Sequence, residues 1–103
     1  MRTVLTNATL IDCVNPAPIP NATVVIEDGR ITLILAAGQP APAGDAEVID
    51  LKGAYLLPGL WDVHIHPDYF PSLAAMPIAD QVTLFGHTMT PALLASGLVG
   101  LRC

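Results

Sequence analysis

The chain has 103 residues, enough for one small domain, and sets four Lys and Arg against nine Asp and Glu for a formal charge of −5. That balance excludes the basic footprint that nucleic-acid binding requires, and no apolar run approaches the ~18 residues that span a bilayer. With 52% hydrophobic and only 13% charged residues, there is too little charge to clothe a free-standing domain of this size. The composition points to a piece of something larger, or to a chain with a large partner interface.

The two cysteines, Cys13 and Cys103, stand far apart without CxxC spacing. A disulfide framework is not expected, and a cytoplasmic setting is the default. The first seven residues lack the apolar core of a signal peptide.

Residues 3 to 12 read as β, with Val4, Leu5, Leu10 and Ile11 among threonines and an interruption at Asn7. The proline-rich stretch 15–21 is a connection, because proline fixes φ and cannot donate to a ladder. Residues 22–27 and 30–35 are β runs flanking Asp28-Gly29. A two-residue Asp-Gly link predicts a type I′ hairpin, which needs φ > 0 at both positions. After a Pro, Ala and Gly loop from Gly38 to Gly44, short strands are expected at 47–51 and 55–57, with a turn at Lys52-Gly53. The first 57 residues therefore read as short antiparallel β elements, a small sheet or half-sandwich.

The character changes at Pro58-Gly59. Leu60 to Ile65 reads as a new strand, followed by a proline-containing loop over 67–77. Ile78, Val82, Phe85, Met89, Ala92 and Ser96 then step by three and four, which is one helical face. Pro91 conflicts with a continuous helix, since its ring meets the carbonyl of His87. The spacing predicts a helix kinked or broken near Met89-Thr90, with Thr90 as a possible N-cap. Leu98 to Leu101 reads as a strand. Strand, helix and strand make a βαβ unit with a parallel pair and a right-handed crossover.

On an extended strand alternate residues share a face, so Asp62, His64 and His66 are expected to face one way. Two imidazoles at that spacing can converge on one metal ion. A bare HxH is weak by itself, and Asp62 taken alone reads first as a cap or hydrogen-bond anchor. The frame strengthens the pair: an apolar strand entered through Pro-Gly, with the histidines at its C-terminal end, where β/α barrels keep their active sites.

The run Val48 to His66, VIDLKGAYLLPGLWDVHIH, resembles the signature of the amidohydrolase superfamily, VIDxxGxxLLPGxxDxHxH. Residues 21–31 resemble that family's N-terminal xxVxIxDGrI hairpin, and residues 94–102 its LxAGvTTvRD segment. The likeness is nearest to the imidazolonepropionase-like and prolidase-like branch.

The resemblance implies that residues 1–57 belong to a β-sandwich beside the barrel. Residues 58–103 would then open an incomplete TIM (β/α)8 barrel. It also implies that His64 and His66 ligate a divalent metal, usually zinc, as one or two ions, with Asp62 supporting them from behind. A small-molecule amide-type substrate, completion by the remainder of the barrel or a companion chain, and a homo-oligomeric complete enzyme follow from the same resemblance.

Several family residues have no counterpart here. The family completes its site with a carboxylated lysine or glutamate, two more histidines and an aspartate. Lys52 is the only lysine and precedes the site; His87 falls on the predicted helix; Asp68 and Asp80 match no family position. Val99-Gly100 stands where the family has threonines, and Cys103 where it has aspartate. No catalytic residue is identified in this chain, which is expected to be inactive alone. The competing expectation is a non-catalytic β-rich interaction module.

Overall fold

The computed structural model describes residues 1–42, 44–66 and 75–102. It divides into two compact units, Met1–Pro58 and Gly59–Cys103.

The first unit is one mixed sheet of β1 (Arg2–Leu10), β2 (Ile19–Glu27), β3 (Arg30–Leu35), β4 (Glu47–Asp50) and β5 (Tyr55–Leu56). The order is β3-β2-β1-β4, with β5 also beside β1. The hairpin forms where Asp-Gly predicts it. Asp28 and Gly29 take φ of 49° and 77°, and Glu27 pairs with Arg30 across the turn.

Asn7 does interrupt β1, as a bulge. Its φ is 54°, and the register with β2 shifts between Leu5 and Ala8. A bulge changes the phase of the pleat. Leu5 before it and Ala8 and Leu10 after it therefore all face the side of Ala22 and Val24. Ala8, Leu10, Ala22 and Val24 form the buried cluster, with Leu5, Ile19, Ile26, Leu51 and Leu56 packed on it. A second irregularity, opposite Val25 and Ile26, leaves Thr32 unpaired and puts Ile31 and Ile34 on that same side. The result is an apolar groove of about 220 Å³ bounded by Leu10, Ile26, Ile31, Ile34 and Leu56.

The expectation of an all-antiparallel first part is corrected. Both β4 and β5 run parallel to β1. The bulge divides β1 into two ladders, and the 51–54 turn bridges them without reversing the chain. Leu51 N–H donates to Thr6 O (2.9 Å), Gly53 N–H to Asn7 O (2.7 Å), and Thr9 N–H to Ala54 O (2.9 Å). Asn7 Nδ2 donates to Asp50 Oδ1 at 2.8 Å. The long connection from β3 to β4 supplies the crossover that a parallel pair needs.

The second unit contains β6 (Leu60–Asp62), α1 (Ile78–Leu84), a π-helical turn (Phe85–Met89), α2 (Thr90–Ala95) and β7 (Leu98–Leu101). β6 and β7 pair in parallel, as the βαβ reading requires. The helical disturbance ahead of Pro91 takes a specific form. The helix widens to π winding, with Thr90 N–H donating to Phe85 O, and regular α winding resumes with Pro91 in its first turn. The wider turn relieves the clash between the proline ring and the carbonyl of His87. Thr90 does not cap; its hydroxyl donates to Phe85 O at 3.4 Å. Among the described residues no helix is long and apolar enough to cross a membrane.

The strand expected over 60–65 is shorter than its sequence suggests. β6 ends at Asp62, and the physical reason lies in the site itself.

Candidate metal centre

Leu60 and Trp61 enter the site as strand because β7 holds them: Leu60 pairs with Leu98, Trp61 with Gly100, and Asp62 with Leu101. At Asp62 the side chain competes with the ladder. Its Oδ1 accepts the backbone N–H of His64 at 3.0 Å, an Asx turn that bends the chain out of extended geometry. The bend is bridged by Arg102, the residue that follows β7. Arg102 N–H donates to Asp62 O at 2.8 Å, and Ile65 N–H donates to Arg102 O at 3.3 Å.

His64 and His66 follow this bend and are both exposed, while Asp62 is half-buried. The Nε2 atoms of the two imidazoles are 3.1 Å apart. The rings meet edge to face, with centroids 4.8 Å apart and planes at 80°. Extended pleating, the basis on which the sequence paired them, is therefore not what brings the histidines together; the turn is.

The spacing fits a metal ion. Two nitrogens each about 2.0–2.1 Å from zinc and 3.1 Å from one another subtend roughly 100° at the ion. That lies between octahedral and tetrahedral neighbours. A metal-free alternative is a hydrogen bond between one protonated and one bare Nε2, which the same distance accommodates.

The other sequence candidates lie elsewhere. Lys52 occupies the 51–54 turn of the first unit, with φ of 51°. His87 is exposed in the π-helical turn, and Asp80 sits in the first turn of α1, where a carboxylate suits the helix dipole. Asp68 and Cys103 lie outside the described residues. Among the described residues no group of three or more His, Cys, Asp or Glu is placed to hold a metal. Sequence reasoning missed Arg102, which contributes through its backbone; no side-chain pattern signals such a contact.

No model of a known protein family matches the sequence. Individual proteins do. An enamidase from Eubacterium barkeri is 42% identical over 69 residues, covering 64% of this chain and 18% of that protein. An adenine deaminase from Dehalococcoides mccartyi is 49% identical over 63 residues, covering 61% of this chain and 10% of that protein. An imidazolonepropionase from Idiomarina loihiensis is 42% identical over 59 residues, covering 57% of this chain and 14% of that protein. The chain thus spans less than a fifth of the length of these relatives.

Among solved structures, an amidohydrolase superposes with a TM-score of 0.82 at 29% identity, over 99% of this chain and 25% of that one. A prolidase complexed with N-methylphosphonate-L-proline gives a TM-score of 0.83 at 24% identity, over 99% of this chain and 25% of the prolidase, a likeness of fold. The hairpin, the parallel pair and the paired histidines occur in the same order as the family's motifs. The sequence matches and the superposition together support the amidohydrolase superfamily as the family this chain resembles, over a part of its relatives' length.

Proposed function

We propose that the chain supplies the opening part of a metal-dependent hydrolase acting on carbon–nitrogen bonds, in which His64 and His66 are two ligands of a divalent ion, zinc by preference. The observation that supports this best is the 3.1 Å between their Nε2 atoms, a spacing suited to two adjacent ligands of one ion. In this reading residues 1–57 form part of a β-sandwich and residues 58–103 begin a (β/α)8 barrel. The open apolar groove on the first sheet is consistent with a layer that another layer covers.

The residues present divide the work. His64 and His66 would hold the ion through their paired Nε2 atoms. Asp62 sets the bend that leads into them, and the main chain of Arg102, just after β7, braces it. A divalent ion held there would supply Lewis-acid chemistry for hydrolysis. The remaining ligands and the proton-transferring group come from outside this chain, from the rest of the barrel or a companion chain. The substrate is a small molecule with an amide, cyclic amide or related C–N bond. The relatives named for enamide, adenine and imidazolone substrates support that class without choosing within it. A cytoplasmic, homo-oligomeric complete enzyme belongs to the same reading.

The test is amide hydrolysis with added zinc. The chain alone is expected to be inactive. It is expected to gain activity, sensitive to His64→Ala and His66→Ala, when joined to the remaining barrel segment of a close relative. Turnover by the isolated chain that disappears in His64→Ala would overturn the assignment of catalytic groups to outside it.

A further inference from the structure

We infer that Asp62 is a positioning residue that acts on the histidine pair through the main chain, as a hydrogen-bond acceptor and not as a metal-bound or ring-bound carboxylate. The inference rests on the reading of His64 and His66 as ligands and names what sets their geometry.

Three observations carry it. Asp62 Oδ1 accepts the N–H of His64, not a ring nitrogen, at 3.0 Å. A carboxylate that oriented a ligand imidazole in the usual way would accept from the ring's second nitrogen. Second, β6 ends at Asp62, so the turn replaces the ladder where the histidines begin. Third, the same residue's carbonyl is held by Arg102 N–H, and Arg102 O in turn receives Ile65 N–H. Asp62 is therefore fixed on its backbone by Arg102, next to its β7 partner Leu101, while its side chain fixes His64. Ile65, between the histidines, is anchored to that same Arg102. His64 and His66 are thus tied to one frame from both sides, and their Nε2 atoms end 3.1 Å apart.

This arrangement predicts which chemistry at position 62 matters. An Asx turn needs a carbonyl-type oxygen carried on Cγ, charged or not, and Asn meets that need about as well as Asp. A metal-bound or ring-bound carboxylate, by contrast, would be lost in Asn. Asp62→Asn and Asp62→Ala therefore separate the two roles.

The experiment compares the full 103-residue chain with its Asp62→Asn, Asp62→Ser and Asp62→Ala variants in two measurements. In the metal-free proteins, nuclear Overhauser contacts between the His64 and His66 rings read the geometry. Titration with cobalt(II), followed by its visible absorption, reads metal uptake. Wild type and Asp62→Asn are expected to keep the ring contact and to bind cobalt within about twofold of one another. Asp62→Ala is expected to lose the contact and to bind about tenfold or more weakly, the range seen when a residue supporting a ligand is removed. Ring contact and affinity unchanged in Asp62→Ala overturn the inference, and so does an Asp62→Asn variant as impaired as Asp62→Ala. If Asp62→Ala loses the β-sheet amide pattern, Asp62→Ser decides. Its weaker turn should place it below Asp62→Asn, and equality of the two overturns the inference. A wild-type chain that shows the expected ring contacts but takes up no cobalt overturns the metal reading and leaves the positioning role supported.

Discussion

Gly100 lies against the indole of Trp61. A Cβ added at Gly100 would fall 2.5 Å from Trp61 Cδ2 and Cε2. The neighbouring step repeats the arrangement in reverse, because a Cβ at Gly59 would meet the side chain of Val99. The two strands of the second unit thus interlock by pairing small with large residues on opposite sides. Val99-Gly100 stands where the family's segment has threonines, and this interlock gives that departure a physical reason: a threonine at position 100 has no room beneath an indole.

Gly100→Ala is accordingly expected to destabilise the second unit by about 1 kcal/mol, at the low end for overpacking. The indole is 66% exposed and can swing away. Trp61 is the only tryptophan, so its emission reports the movement directly. Trp61→Leu should relieve the penalty, which a double-mutant cycle would measure as coupling. An additive cycle would count against the interlock.

Much of the fold was legible because local rules agreed with the tertiary structure. Asp28-Gly29 specified its turn, and the three-and-four spacing from Ile78 specified a helix. Pro91 announced trouble in that helix, although not that π winding would absorb it. What stayed hidden depended on contacts between distant segments. Nothing local says that 47–50 and 55–56 lie parallel to β1, since that direction is set by the crossover and by the Asn7 bulge. The site shows the same division. The HxH pattern singled out two histidines whose Nε2 atoms lie 3.1 Å apart, but alternation along a strand is not what brings them together; the reading of Asp62 as a hydrogen-bond anchor matches its contact with the His64 N–H.

The hairpin offers a test free of packing effects. Gly29 has φ of +77°, and a Cβ there would touch nothing within 4 Å. Gly29→Ala should therefore lose stability through backbone strain alone, by about 1 kcal/mol. Urea denaturation with an unchanged m-value would show this. A neutral result would mean that the type I′ turn relaxes at no cost.

The π-helical turn should depend on Pro91. Pro91→Ala restores an N–H and removes the ring that confronts the carbonyl of His87. Regular α winding is expected to extend from α1 into α2. Far-UV circular dichroism should gain helical signal, and amide exchange over residues 87–91 should slow. A spectrum identical to wild type would mean that the widened turn is held by other contacts, among them the Thr88 hydroxyl donating to Leu84 O at 2.6 Å.

The bulge at Asn7 should make stability sensitive to acid. The Asn7 side-chain amide, and then the Lys52 N–H, hold the Asp50 carboxyl below its ordinary value of 3.8. Hydrogen bonds to the ionised form favour it. As pH falls, the unfolded chain takes up this proton first. The contribution is therefore complete above the ordinary value and is lost as pH descends through the lowered one. Asp12 and Asp28 are lowered as well, the first by the backbone N–H of Asn15 and the second by the N-terminal ammonium, so all three act in the same acidic window. Asp50→Asn keeps the acceptor and removes the titration. Its stability should fall less steeply than that of wild type below about pH 4, with the residual slope coming from Asp12 and Asp28. Asn7→Ala should lower stability near neutrality, through the lost hydrogen bond and an alanine forced to positive φ. It should also flatten the acid dependence, because Asp50 then loses the largest cause of its lowering. Parallel acid profiles for wild type, Asp50→Asn and Asn7→Ala would show that the Asn7–Asp50 contact does not clamp the junction between the two ladders of β1.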